Sequence, residues 1–139
     1  MTVAIIVAVF AICDCTIVWV LVTSSLAPLK ALAAEFPARE PAADAVGRAF
    51  QSFKFGIVNW GWGTHITVDS GYLHMRPARV SRWLGMPSLS IPWERVRVVK
   101  RGKRSTSVML EGVREKAELT GPTWCLGMGG DGERRVGNG

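Results

Sequence analysis

Cysteine is scarce in this chain, three in 139 residues, and the three are poorly placed for any shared task. Cys13 and Cys15 lie in an apolar run and Cys125 in a Gly-rich tail, so their spacing gives no disulfide or zinc framework. They follow no lipobox either, because Phe10-Ala11-Ile12 lacks the small residues expected before a lipidated cysteine. The two histidines, His65 and His74, do not stand with a Ser or Cys in a nucleophile elbow. Paired carboxylates at a defined spacing are missing, as is a Gly-rich loop joining a strand to a helix. Asn59-Trp60-Gly61-Trp62-Gly63 is rich in glycine, but it precedes a strand and carries no lysine, which makes it a flexible turn. These gaps argue against an enzyme and call for no cofactor.

Charge is missing in two places. No Lys or Arg precedes Lys30, and between residues 76 and 104 Glu94 is the only acidic side chain. The first gap holds the apolar run at residues 3–22, VAIIVAVFAICDCTIVWVLV, in which Asp14 is the only charge. A helix rising about 1.5 Å per residue needs roughly 20 apolar residues to cross a hydrocarbon core of about 30 Å. Asp14 opposes insertion by about 2.5–3.5 kcal/mol. The twelve Val, Ile, Leu and Phe residues of the window contribute about −0.3 to −0.6 kcal/mol each, which outweighs it. Trp19 suits one interface.

A secretory signal peptide would carry a positive n-region and a shorter apolar stretch of about 7–15 residues; Ala31-Leu32-Ala33 is the cleavage site that this alternative would use. A core helix would need more apolar chain to surround it. The expectation is a transmembrane helix over residues 1–24, with Asp14 marking an intramembrane contact. Lys30, Arg39 and Arg48 lie beyond the run, so the positive-inside rule puts the carboxyl side in the cytoplasm, N-out/C-in in the inner membrane.

The remainder of the chain is long enough for one small domain. Ser24-Ser25 and Pro28 predict a cap and a restart, giving a short helix through Leu29, Leu32, Ala33 and Phe36, with a linker to residue 47. From Phe50 the period becomes two, as in a strand. Residues 64–76 read as a hairpin: with Ser70 and Gly71 as the loop, Val68 faces Leu73 and Ile66 faces Met75, all on one face. That register leaves His65, Thr67, Tyr72 and His74 on the other face, where two solvated histidines and Asp69 are too few for a metal site. Further strands are expected at residues 88–93, 94–100 and 105–110, with a last short one at 116–119. Pro92 lacks a ladder donor and belongs at a strand edge, where Ile91 and Trp93 project together as packing, the alternative being an exposed Trp93 that docks a partner. Residues 48–120 thus read as a mainly β domain, and residues 121–139, Gly-rich, as a disordered tail.

The second gap concentrates charge. Nine basic side chains lie between residues 76 and 104, whereas the flanking segments are each slightly acidic. Arg76, Arg79, Arg82, Arg101, Lys103 and Arg104 are the candidate lipid-binding residues, since anionic head groups attract such residues at about 1 kcal/mol each within a Debye length. Solvated surface charge is the plainer reading of the same residues. Nucleic acid is not indicated, because no binding motif or aromatic stacking platform accompanies the charge.

The amino-terminal apolar helix, Leu32-Ala33, Phe36-Pro37, Gly71-Tyr72-Leu73-His74-Met75 and Ile91-Pro92-Trp93-Glu94-Arg95-Val96 together resemble a family of small uncharacterised bacterial single-pass membrane proteins. The soluble part of that family is similar to a pleckstrin-homology-like or GRAM-like domain. Gly71 with Ile91, Pro92 and Trp93 forms its most specific pair of motifs. The resemblance implies a partly open barrel or sandwich of about five to seven short strands, without an assigned reaction. The expected function is binding by a membrane-anchored β domain, to anionic lipid or to another membrane protein.

Overall fold

The structure is a computed structural model that describes residues 1–56, 58–61, 63–114 and 116–130. It opens with one helix, α1 (Thr2–Glu35), long and apolar enough to cross a membrane. Residues 2–21 are exposed throughout, and burial begins at Val22. The expected cap at Ser24-Ser25 does not form: α1 continues through Pro28 for 34 residues. A proline inside a helix removes one hydrogen bond and costs about 3 kcal/mol. Leu26, Leu29 and Leu32 offset that cost because each is buried against the domain, and tertiary packing, more than local propensity, decides helix length. The helix stops at Phe36, whose N–H donates to Leu32 O, just before Pro37, a residue type that disfavours helical backbone in its predecessor.

The rest is mainly β. The strands are β1 (Val46–Gln51), β2 (Lys54–Phe55), β3 (Val58–Asn59), β4 (Thr64–Val68), β5 (Tyr72–Pro77), β6 (Leu89–Pro92), β7 (Val96–Arg101), β8 (Ser105–Leu110) and β9 (Ala117–Pro122). Two short helices join them, α2 (Arg79–Trp83) between β5 and β6 and α3 (Thr123–Leu126) after β9. All pairings are antiparallel, in sheets of order β1-β4-β5-β6 and β3-β2-β9-β8-β7 that do not close into a barrel. The strand expected to run onward from Phe50 ends at Gln51. Phe50 takes a φ of 51° where the β1–β4 register shifts, and the chain then passes into the second sheet.

The β4–β5 hairpin has the register read from its sequence, with Val68 opposite Leu73 and Ile66 opposite Met75. Those four side chains are buried. They form the core with Phe53, Leu89, Ile91, Val108, Leu110 and Leu119, joined by Leu32 and Phe36 from α1. A smaller cluster, Leu26, Leu29 and Met86, packs with Val22, Phe55 and Trp60.

The disordered tail is corrected over residues 121–130. Gly121 and Pro122 complete β9, and Cys125 and Leu126 of α3 are fully buried. Glycine is required at position 121 for packing: a Cβ there would lie 2.5 Å from Phe53 ring atoms. Residues 131–139 lie outside the described residues.

Candidate functional site

The densest polar chemistry gathers at the tip of the β4–β5 hairpin. Asp69 caps the turn: its Oδ1 accepts from the N–H of Gly71 at 2.9 Å and of Tyr72 at 2.7 Å. Its Oδ2 accepts from the N–H of Ala42 at 3.1 Å and meets His74 Nε2 at 2.8 Å. On the far side of the ring, His74 Nδ1 stands 2.8 Å from Ser90 Oγ, which accepts from the Arg39 N–H at 2.8 Å. One tautomer satisfies every member: Nε2–H donates to Asp69, and the Ser90 hydroxyl donates to Nδ1. Burial by itself would raise the Asp69 carboxyl. Hydrogen bonds from His74 and from the N–H groups of Ala42, Gly71 and Tyr72 outweigh it and hold the group well below its ordinary value of 3.8.

His74 is therefore not the solvated strand histidine expected from the alternating pattern, since it is only 2% exposed. The segment after α1 covers it. Pro37 bridges Leu89, the Ser90 N–H donates to Phe36 O, and the Arg39 guanidinium lies 5.1 Å over the Tyr72 ring. His65 is half-buried, and its Nδ1 accepts from the Phe50 N–H at 3.3 Å. Among the described residues no group of three or more His, Cys, Asp and Glu is arranged to hold a metal.

A Ser–His–Asp chain invites a nucleophilic reading. Ser90 is 3% exposed and its oxygen already accepts from Arg39, so a carbonyl substrate has no approach to it. An open depression of about 500 Å³ lies nearby, lined by Arg39, Glu40, Asp69 and Tyr72 but not by Ser90. The network locks the segment after α1 onto the outer face of the sheet. Cys125 offers no nucleophile either, because burial pushes its thiol up to about 12.

The two motifs of the resemblance meet here. Ile91 pairs with Leu73 and Pro92 with Tyr72, on the edge strand β6. The Trp93 indole N–H donates to Asp69 O at 2.8 Å, and its backbone N–H donates to Gly71 O at 3.1 Å. Gly71 is outside the left-handed region, and a Cβ there would meet only Asp69 Oδ1 at 3.8 Å. Asp69 and Trp93 hold this turn, so glycine is not what shapes it.

The six basic candidates fall in two regions. Arg76 is exposed near the end of β5, where it pairs loosely with Glu40 at 3.5 Å, and Arg79 and Arg82 are exposed on α2. Arg101 ends β7 and Lys103 and Arg104 lie in the β7–β8 turn of the other sheet, all exposed: Arg101 donates to Gly127 O just after α3, and the Thr123 N–H at the start of α3 donates to Arg104 O. The Arg76–Glu40 pair, open to solvent, contributes little to stability. Asp14 is exposed on α1, and its carboxylate makes no hydrogen bond or ion pair among the described residues.

Sequence patterns missed the His74–Ser90 contact, because it depends on how β5 pairs with β6. They also missed α2, since no element was expected between the hairpin ending at residue 76 and the strand at 88. The Val80, Trp83 and Leu84 triplet at residues 80–84 was the available signal. Compared with protein families, curated proteins and solved structures, the chain gives no match.

Proposed function

We propose that this chain is a single-span inner-membrane protein, N-out/C-in, whose β domain is a non-enzymatic binding module for the anionic cytoplasmic surface of the bilayer. The observation that carries the reading is the double use of α1. The helix that bears the exposed apolar run also supplies Leu26, Leu29 and Leu32, with Phe36 at its end, to the interior of the domain. A domain fastened this way stays within a few helical turns of the bilayer, inside the range of its surface potential. Two antiparallel sheets with the short α3 packed against β4, β8 and β9 support the likeness to a pleckstrin-homology-like or GRAM-like domain of bacterial membrane proteins.

The test uses a fragment from residue 23, which retains the helical core residues, and vesicle flotation. The fragment is expected to float with vesicles containing phosphatidylglycerol, to release in high salt, and to ignore purely zwitterionic vesicles. Neutralising Arg101, Lys103 and Arg104 together is expected to weaken binding; undiminished flotation of that triple variant would sink the electrostatic reading of this turn. Assembly with another membrane protein is the second reading, favoured by Asp14, a carboxylate on the exposed apolar stretch with no partner among the described residues.

A further inference from the structure

We infer that α2 and the turn after it form a second membrane contact, a short wedge that enters the lipid head-group layer beside the exit of α1. The inference rests on the reading of α1 as a span.

The element is unusual in what it leaves bare. None of the five residues of α2 is buried, yet it carries Val80 at 72% exposure and Trp83 at 86%, followed by Leu84 at 43%. A soluble surface seldom collects a Trp with two aliphatic side chains in five residues without an apolar surface to meet. Arg79 and Arg82 are exposed in the same turns, so the element combines an amphipathic aromatic ring, aliphatic groups and cations. That is the composition of interfacial segments.

Position selects the occupant. The turn after α2 is pinned to α1 just past the apolar run. Met86 is buried against Leu26 and Leu29, and a Cβ on Gly85 would stand 3.9 Å from Lys30 Nζ and 4.0 Å from Leu26 Cδ1. If hydrocarbon ends near Val22, where burial by the domain begins, residues 26–30 lie about 6–12 Å farther along the axis. The head-group region of one leaflet is about 5–8 Å deep, so α2 is held at its outer boundary. Lys30, Arg79 and Arg82 then face phosphates while Trp83, Val80 and Leu84 reach toward the acyl boundary. The surface is continuous with the span itself, and this continuity favours lipid over a protein partner.

Site-directed spin labelling of the full-length protein in nanodiscs tests the wedge. Cys13 and Cys15 are first replaced by alanine, and Cys125 is buried. A nitroxide is then placed through Trp83→Cys or, separately, Val80→Cys, both exposed positions whose change leaves the core intact. Asp44→Cys, an exposed acidic position outside the basic surfaces, serves as the water-exposed reference and Phe10→Cys as the hydrocarbon reference. Preference for collision with oxygen over a water-soluble nickel chelate is expected to be several-fold higher at 83 and 80 than at 44, and below that at 10. A preference at 83 and 80 equal to that at 44 would overturn the wedge, as would shielding of both from either reagent, the mark of a protein partner. Failure of the reference at 10 to favour oxygen would instead strike the span reading, and insertion at 83 that persists without anionic lipid would strike only the electrostatic one.

Discussion

Asp69 accepts four hydrogen bonds, from a side chain and three backbone amides, in a site where its side chain is 7% exposed. Bonds to a charged acceptor contribute about 1.5–3 kcal/mol each, and losing the acceptor leaves the buried His74 ring without its partner on that side. Asp69→Ala is therefore expected to destabilise the domain by about 3 kcal/mol or more, whereas Gly71→Ala should stay within about 1 kcal/mol of the parent because its backbone tolerates a side chain. Chemical denaturation of the two variants checks this, and equal losses would refute it. The folded-state carboxyl lies below its ordinary value of 3.8, so its contribution to stability is complete above that pH. It declines as the medium is acidified toward the lowered folded value. Stability of the parent is expected to fall below about pH 4 more steeply than that of Asp69→Ala; parallel acid profiles would contradict the assignment. The turn-forming role of Asp69 was legible from Asp-Ser-Gly alone, but its partner His74 was not. Alternation assigns His74 to the outer face of β5, and only the path of residues 37–42 decides whether that face is wet.

Among the elements, α1 shows most clearly where local reading fails. Ser24, Ser25 and Pro28 carry the vocabulary of a helix boundary, and a chain in isolation would heed it. Burial of Leu26, Leu29, Leu32 and Phe36 overrules them. Removing water from a large apolar side chain contributes about 1.5–3 kcal/mol, so four of them are comparable to the whole stability of a small domain, about 5–15 kcal/mol. A fragment starting at residue 23 is expected to show a cooperative thermal transition by circular dichroism. One starting at residue 37 should show none and should aggregate through the uncovered Met86 and Leu89; a folded 37-onward fragment would mean that α1 only decorates the domain. The register of the β4–β5 hairpin was readable because a period of two fixes which side chains share a face, and a shift by one residue would turn Ile66, Val68, Leu73 and Met75 to solvent. The end of β9 and α3 were not readable. Their glycines resemble those of a disordered tail until Gly121 is seen against Phe53.

For the whole molecule, apolar surface is divided between two environments. Residues 2–21 keep theirs outside the domain, and the β sheets bury theirs inside. Composition alone located the first, through a nearly continuous run, and periodicity located much of the second. Neither could show that one helix serves both, since that depends on contacts between residues far apart in the chain. Asp14 belongs to this level as well. Inside hydrocarbon an unpaired carboxylate is costly, and a contact with another helix would relieve it. Asp14→Leu is expected to abolish crosslinked complexes in native membranes while leaving the domain folded; unchanged complexes would remove Asp14 from any role in assembly.

Because α1 has no break between its exposed stretch and its buried one, it works as a drive shaft. Each residue of an α-helix turns the chain by about 100°. Inserting a single alanine just before Val22 would leave in place the domain contacts that begin at Val22 and yet swing α2 and the β7–β8 turn roughly a quarter of the way round the axis. The azimuth that the domain presents to its surroundings is thus encoded in the spacing along α1 between the exposed run and Val22, a quantity that a flexible tether would have left undefined.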